Sequence, residues 1–195
     1  MLAEPTRTPD RAATESSLQA AALNLLDRNG VLAGLNLREV ADDAGVNRGL
    51  VYHYFGSRQD LLRAALRADV GRRFAEVAAA GALPLRERFT AFLKTMVHQR
   101  RALQLVTLLV LDRDRVLRVM PMRDTSHRLL ERDVDDGLLD SDLDVDAVHA
   151  AAVSLVYGYV LYRERFAAEF DTGVTALDER VAAVFDRMLG GLAPR

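Results

Sequence analysis

The stretch from Asn36 to Leu62 constrains the fold of this chain more than any other part of the sequence. Asn36 is followed three places on by Glu39, the spacing of a reciprocal capping pair at a helix N-terminus. Apolar residues then recur at helical intervals: Leu37, Val40, Ala41 and Ala44. Gly45 comes next, where a helix commonly ends in a left-handed residue that glycine adopts without a Cβ clash. The pattern predicts a helix that begins near Leu37 and turns at Gly45.

A second and a third helix follow directly. Val46 can pack inward from the turn, and Asn47 is a favoured residue for capping the next helix. The apolar stripe of that helix consists of Leu50, Val51 and Tyr54. Gly56 interrupts the pattern, and Ser57 with Asp60 forms another capping pair ahead of a third stripe. The sequence therefore predicts three helices joined by two tight turns.

The polar edge of the middle helix is suited to DNA. Its outward-facing residues are Arg48, Gly49, Tyr52 and His53. An α-helix fits the major groove, and a recognition helix presents its first turns to the base edges. Arg48 carries a fork of donors that can pair with guanine, which is worth about 1 to 3 kcal/mol of discrimination. Gly49 leaves clearance for the duplex, and Tyr52 and His53 are assigned to phosphates first.

Two further arginines flank this edge, at helix starts where free backbone N–H groups also favour a phosphate. The predicted DNA-binding residues are Arg38, Asn47, Arg48, Gly49, Tyr52, His53 and Arg58. The net charge argues the other way, because residues 1–70 hold 8 Arg and no Lys against 9 Asp and Glu, a net of −1. The acids Asp42 and Asp43, however, lie towards the C-terminal end of the bracing helix, away from the positions proposed to meet DNA.

The same residues carry a resemblance to a known family. The run from Val40 to Leu62 resembles the signature of TetR-family transcriptional regulators. The matching residues are Ala41, Ala44-Gly45-Val46, Gly49, Tyr52, Tyr54-Phe55, Ser57 and Leu61-Leu62. Upstream, the apolar run 21–26 followed by Gly30 is similar to the first helix of that family, so the resemblance spans about residues 14–66. Arg58 stands where the family usually has Lys, and Asn47 where it usually has Ser or Thr.

The whole chain has the composition of a folded soluble protein. Its 195 residues are 50% hydrophobic and 28% charged, which suits one or two domains with a substantial core. The absence of cysteine excludes disulfides and thiolate metal sites. The first 30 residues lack the apolar core of a signal peptide, and there is no run of about 18 uncharged apolar residues. We expect a cytoplasmic protein that does not enter a membrane.

Helical periodicity continues through the C-terminal half, which is interpreted as an α-bundle. The predicted fold is all-α, with an N-terminal three-helix DNA-binding domain and a C-terminal bundle for ligand binding and dimerisation. The predicted parts are a flexible arm over 1–13, the DNA-binding domain over 14–70 with its helix-turn-helix at 36–55, and the C-terminal domain over 71–195. The first helix is expected to start between Pro9 and Thr14 and to end near Gly30. The third helix of the DNA-binding domain is expected to continue past Gly71 towards Gly81.

The last two helices carry more apolar surface than one core requires. Asp144 and Asp146 are predicted to open the first of them, and Thr175 with Asp178 to cap the second. The family resemblance implies that both pair with their copies in a homodimer, which matches palindromic DNA half-sites. The interface residues expected are Val148, Ala152, Leu155, Val156, Tyr159, Val181, Val184, Phe185 and Met188. The alternative is that both helices are buried within one subunit.

The resemblance also implies a small-molecule effector that binds the C-terminal domain. Apolar and aromatic residues with a few polar groups are the mixture expected of a ligand cavity. The candidates are Phe89, Phe92, Met96, Met120, Met122, His127, Tyr157 and Tyr162. Plain core is the more common role for each of these residues taken singly, and the identity of the effector stays open.

No catalytic constellation is visible. His53, His98, His127 and His149 lack a zinc-protease spacing, and neither a nucleophile elbow nor a nucleotide-binding glycine motif occurs. Aspartates at 133–136 and 140–144 are interpreted as helix-end residues, so no metal or cofactor is expected. We therefore predict a non-enzymatic transcriptional regulator, a repressor released from a palindromic operator by a small effector. The alternatives are a ligand-independent activator, or a helical small-molecule binding protein or enzyme with an inert DNA-binding fold.

Overall fold

The computed structural model describes residues 10–30, 35–70 and 83–194, and all regular secondary structure in these ranges is helical. The described helices are α1 (Arg11–Asn29), α2 (Leu37–Asp43), α3 (Arg48–Phe55), α4 (Arg58–Val70), α5 (Leu85–Met96), α6 (Arg100–Leu111), α7 (Arg123–Asp135), α8 (Val145–Glu169) and α9 (Val174–Gly190). The prediction of an all-α fold is confirmed. The chain divides into two compact units. Unit 1 contains the residues up to Asp69 together with Leu105–Leu117, and unit 2 contains Val70–Gln104 and Arg118–Arg195.

The first helix begins within the predicted window. Asp10 caps α1, because its Oδ1 accepts the backbone N–H of Ala12 at 3.1 Å. The predicted N-terminal arm includes residues 11–13, and this cap explains why they are helical instead. The remainder of the predicted arm, residues 1–9, lies outside the described residues, as does the expected continuation of α4 over residues 71–81.

The core of unit 1 joins α1 to α4 with the last part of α6. Its least exposed members are Leu18, Ala22, Val40, Ala41, Val51, Leu61, Leu62, Ala65, Leu105 and Leu109. Val40 and Ala41 of α2 and Val51 of α3 are each at most 1% exposed, so the inward faces predicted for both helices are confirmed. The contribution of residues 105–117 was not predicted, because the sequence places them well beyond the DNA-binding segment.

Unit 2 is a helical bundle in which α9 packs against α5 and α8, and α7 packs against α8. Its core contains Leu85, Phe89, Leu93, Leu103, Leu130, Leu139, Val156, Val160, Phe185 and Leu189. An ion pair between Arg88 and Asp133 lies at the edge of this core, with the Asp133 side chain fully buried. A buried carboxylate needs such a partner, since an unpaired charge in an apolar environment is costly.

The start of α9 differs from its prediction. The helix begins at Val174 after Gly173, with no side-chain cap, so Thr175 does not cap it. Asp178 instead accepts hydrogen bonds from the Tyr159 hydroxyl at 2.6 Å and from Arg163 at 2.9 Å. Burial and this bond to a carboxylate raise the pKa of Tyr159, so the phenol stays protonated. By contrast, the predicted cap of α8 is confirmed, because Asp144 accepts the N–H groups of residues 146 and 147.

Helix α8 is the one described helix that is long and apolar enough to cross a membrane by length and composition. The same test is passed by core helices of soluble proteins. In this structure its buried face, which includes Val156 and Val160, lies in the core of unit 2. Its exposed residues include charged ones, such as Glu164 and Arg165.

Candidate nucleic-acid interface

The turn between α2 and α3 has the predicted geometry. Gly45 has φ 67°, in the left-handed region, and the Val46 N–H donates to the Ala41 carbonyl at 2.9 Å. Asn36 caps α2 by accepting the Arg38 N–H at 3.0 Å, and its Nδ2 donates to Glu39 Oε1 at 3.1 Å. The capping pair is therefore confirmed, although the return bond from Glu39 reaches the Asn36 side chain rather than its backbone.

Asn47 fixes the start of α3. Its Oδ1 accepts the Gly49 N–H at 2.8 Å, so this oxygen is already used within the protein. A Cβ built on Gly49 would lie 3.3 Å from the same oxygen. Glycine at this position therefore makes room for the cap, a reason that adds to the clearance proposed for DNA.

The exposed edge of α3 is as predicted. Arg48, Gly49 and His53 are exposed, and the Tyr52 side chain is 48% exposed. Val51 on the opposite side is 1% exposed. Gly56 ends the helix with φ 73°, and its N–H donates to the Tyr52 carbonyl at 2.8 Å.

Tyr54 links α3 to the first turn of α1. The Arg11 guanidinium lies over the Tyr54 ring at 5.8 Å from its centroid, and His53 meets the same ring edge-on at 5.3 Å. Arg11 is also bonded to Glu15 at 3.0 Å. Through these contacts the C-terminal half of α3 packs against α1. The apolar stripe of α3 alone does not predict them.

The start of α4 carries the second capping pair. Ser57 Oγ accepts the Asp60 N–H at 3.1 Å and donates to the Asp60 carboxylate at 2.5 Å. The Ser57 hydroxyl, followed by Arg63, lowers the pKa of Asp60, so that its carboxylate stays charged. Arg58 is half-buried, and its Nε is buried without a hydrogen-bond partner in the part of the chain that the structure describes.

Internal pairing explains how an acidic segment can present a basic edge. Asp43 is bonded to Arg28 at 2.5 Å, and Asp60 is paired with Arg63. Glu39 accepts bonds from the amide groups of Asn36 at 3.1 Å and Asn29 at 3.5 Å. Within the described ranges, the following arginines have no acidic partner: Arg38, Arg48 and Arg58. The negative net charge therefore does not describe the edge formed by the starts of α2, α3 and α4.

The residues predicted to bind a ligand do not form one group. Phe92 lies against Tyr157 with ring centroids 6.5 Å apart, and the Tyr157 hydroxyl donates to the Val119 carbonyl at 3.1 Å. Phe89 belongs to the core, where it meets Phe185 edge-on. His127 instead bonds Asp146 at 3.1 Å and Glu131 at 3.2 Å. Met96, Met120 and Met122 are half-buried, whereas Tyr162 is 56% exposed.

The predicted dimer residues divide into three sets by their exposure. Four are buried in the core of their own subunit: Ala152, Val156, Tyr159 and Phe185. Val156 is 0% exposed, so it has no surface left for a second subunit. Val184 and Met188, by contrast, are 56% and 54% exposed on successive turns of α9. The remaining three are half-buried: Val148, Leu155 and Val181.

An exposed aromatic row at the C-terminal end of α8, which includes its C-cap residue Phe170, was not predicted as a unit. Tyr162, Phe166 and Phe170 follow one another at four-residue intervals, with ring centroids 5.9 and 6.4 Å apart. Phe166 and Phe170 are 37% and 63% exposed. The four-residue spacing places the rings on one face of the helix, and it could have been found in the sequence.

The geometry of unit 1 defines a helix-turn-helix domain, and the comparisons with known proteins agree. Residues 18–65 match the family model of bacterial regulatory proteins of the tetR family. An 80-residue stretch is 38% identical to the HTH-type transcriptional regulator BetI of Rhizobium meliloti, covering 40% of this chain and 39% of that protein. The match to this curated relative thus spans well under half of its length.

Solved structures extend the likeness to the whole fold. A proposed transcriptional regulator of Streptomyces coelicolor superposes with TM-score 0.66 at 22% identity, over 90% of this chain and 97% of its own. The ketosteroid transcriptional regulator KstR2 of Mycobacterium tuberculosis superposes with TM-score 0.60 at 18% identity, over 97% of this chain and 98% of its own. Residues 18–65 thus form a DNA-binding domain of the tetR type, and the fold of the described chain is that of these solved regulators.

The Asn47 cap gives a test of the local structure. Asn47→Ala should lower the free energy of unfolding by about 1 kcal/mol, because the Gly49 N–H loses its acceptor. Asn47→Ser keeps a capping oxygen and should lose much less. Urea unfolding followed by circular dichroism measures both, and equal stability of the alanine and serine variants would contradict the role assigned to the cap.

Proposed function

We propose that this protein is a cytoplasmic homodimeric repressor that binds a palindromic operator and is released by a small apolar or amphipathic effector. The observation that carries the proposal is the edge of α3, where Arg48 is exposed and has no acidic partner among the residues that the structure describes, while the opposite side of the helix is buried in a core. A helix held in this way can enter the major groove without rearrangement. Its first turn would meet the base edges.

The flanking residues support a division of labour. Arg38 follows the cap of α2 and Arg58 opens α4, so both lie at helix starts, where positive charge and backbone dipoles attract phosphate. Contacts of this kind position a protein on the duplex and carry little sequence information. Base selection is therefore assigned to Arg48, and the neighbouring Tyr52 and His53 are assigned to phosphates first.

Arg48→Ala should reduce discrimination between a selected operator and random DNA by about 1 to 3 kcal/mol while the dimer stays folded. Arg58→Ala is the contrasting variant, since it should weaken binding to both DNAs alike and flatten the salt dependence. Fluorescence anisotropy titrations of both duplexes at several salt concentrations separate the two effects. An unchanged specificity ratio in Arg48→Ala would remove this residue from base readout.

Dimerisation is assigned to the outer faces of α8 and α9. Val184 and Met188 lie one turn apart on α9, and Leu155, Tyr162 and Phe166 form a similar stripe on α8. Apolar side chains that are exposed next to one another commonly mark a protein contact. A twofold dimer would present two copies of α3 to two half-sites about one turn of DNA apart.

Val184→Asp should convert the dimer to a monomer, because a carboxylate would be buried in an apolar interface. Val156→Asp is unsuitable as a test, since Val156 is 0% exposed and the variant would unfold the subunit itself. Ala183→Asp is the matched control, because the same charge lies about 100° around the helix, at an exposed residue. Sedimentation velocity of Val184→Asp showing an intact dimer would move the interface elsewhere.

The effector is assigned to unit 2. Phe92 and Tyr157 bring apolar surface and a hydroxyl together, a combination suited to an amphipathic molecule. One of the structural neighbours, KstR2, is a ketosteroid transcriptional regulator, and ketosteroids are amphipathic molecules of this kind. An effector would need about 1 to 3 kcal/mol of coupling between its own binding and that of DNA.

A further inference from the structure

Residues 112–116 form a turn that no sequence motif singled out. They follow α6 and belong to unit 1, together with the rest of Leu105–Leu117. Leu105 and Leu109 of the preceding helix are 1% and 0% exposed, in the same core as α4. The turn is therefore fixed to the unit that carries the helix-turn-helix.

Two side chains of α4 hold the turn in place. Gln59 Nε2 donates to the carbonyl and to the Oδ2 atom of Asp112, both at 3.2 Å. Arg63 forms an ion pair with Asp114, whose side chain is fully buried. The same carboxylate accepts the backbone N–H groups of Val116 and Leu117, both at 2.8 Å. Burial would raise the pKa of Asp114, but these backbone bonds and Arg63 together lower it, so the pair stays charged.

The turn also carries two arginines whose guanidinium groups contact no carboxylate among the described residues. The side chains of Arg113 and Arg115 are exposed, and among the described residues neither guanidinium has a hydrogen bond or an ion pair. Arg63 is shared between Asp114 and Asp60, so the turn and the start of α4 together carry four arginines, at 58, 63, 113 and 115, against three carboxylates, at 60, 112 and 114. Arg113 has φ 56°, a left-handed conformation that few non-glycine residues adopt.

The position of the turn relates it to the predicted DNA edge. Asp112 is bonded to Gln59, the residue that follows Arg58 in the first turn of α4. Arg113 in turn follows Asp112. Arg58 is thus next to Gln59, and Arg113 is next to Asp112, the two residues that this hydrogen bond joins. The bond lies at the N-terminal end of α4, which is expected to face a phosphate.

We propose that Arg113, assisted by Arg115, is an additional contact to the DNA phosphate backbone, supplied from outside the helix-turn-helix. This inference rests on the proposed DNA-binding function. The apolar neighbours Leu111 and Val116 are 73% and 71% exposed, which by itself suits a protein partner as well. DNA is favoured because Asp112, the neighbour of Arg113, is bonded to Gln59, the neighbour of Arg58, and because arginines outnumber carboxylates in this part of the described structure.

The test is the salt dependence of binding to a duplex that the wild-type protein has selected from random DNA. Arg113→Asn removes the charge and retains a residue that tolerates the left-handed conformation. We expect the slope of log K against log salt to fall by about 0.9 for each phosphate that is no longer neutralised, and so by about 1.8 for a dimer. Arg113→Lys should restore the slope.

Arg67→Gln is the matched control. Arg67 is an exposed arginine of the same unit, nine residues and about 13 Å further along α4 than Arg58, and its removal changes the charge equally. The wild-type slope in Arg67→Gln, together with a reduced slope in Arg113→Asn, is the expected result.

Three results would overturn the inference. Wild-type binding with an unchanged slope in Arg113→Asn would remove the turn from the DNA interface while leaving the proposed function intact. Loss of the dimer in Arg113→Asn, seen by sedimentation velocity, would show that the turn contacts a second copy of the chain. Failure of the wild-type protein to bind any duplex above bulk competitor would reject the proposed function and this phosphate contact together.

Discussion

The packing of α2 and α3 into one small core is the constraint on which the rest of the structure depends. Val40, Ala41 and Val51 are almost completely buried, and the left-handed Gly45 allows the two helices that carry them to meet at a fixed angle. Because the apolar side of α3 is buried at this angle, its polar residues are exposed on the opposite side of the helix. The cap from Asn47 then fixes where the helix begins, and so where Arg48 stands on its first turn.

Charge in unit 1 is arranged by pairing rather than by quantity. The acids at 43, 60 and 114 are each engaged by an arginine of the same unit, while arginines at the helix starts have no such partner among the described residues. An exposed ion pair contributes little stability, but it removes a negative charge from the field felt by DNA. The negative net charge of residues 1–70 is therefore compatible with DNA binding, and it no longer favours the alternative of an inert DNA-binding fold.

Local patterns predicted the elements that local bonds form. The caps at Asn36, Asn47, Ser57 and Asp144 use partners two or three residues away, so their spacing is visible in the sequence. The pair Thr175 and Asp178 has the same spacing, and its prediction was wrong. Asp178 is bonded to Tyr159 and Arg163 from the preceding helix, and a contact across two helices leaves no local signal.

Which face of a helix is buried could not be predicted where apolar residues cover more than one side. Val156 and Val184 are equivalent by composition, yet one is completely buried within its subunit and the other is more than half exposed. The return of residues 105–117 to unit 1 was missed for a related reason. Leu105 and Leu109 have the four-residue spacing of any apolar helix face, and this spacing does not indicate which of the two cores the face packs into.

Selection of bound fragments from random duplex DNA tests the central claim most directly. If α3 enters the major groove as part of a twofold dimer, the selected fragments should share a palindrome whose half-sites are centred about one helical turn, or a multiple of it, apart. Fragments that show no common sequence at modest salt, or no enrichment over bulk competitor, would contradict the account.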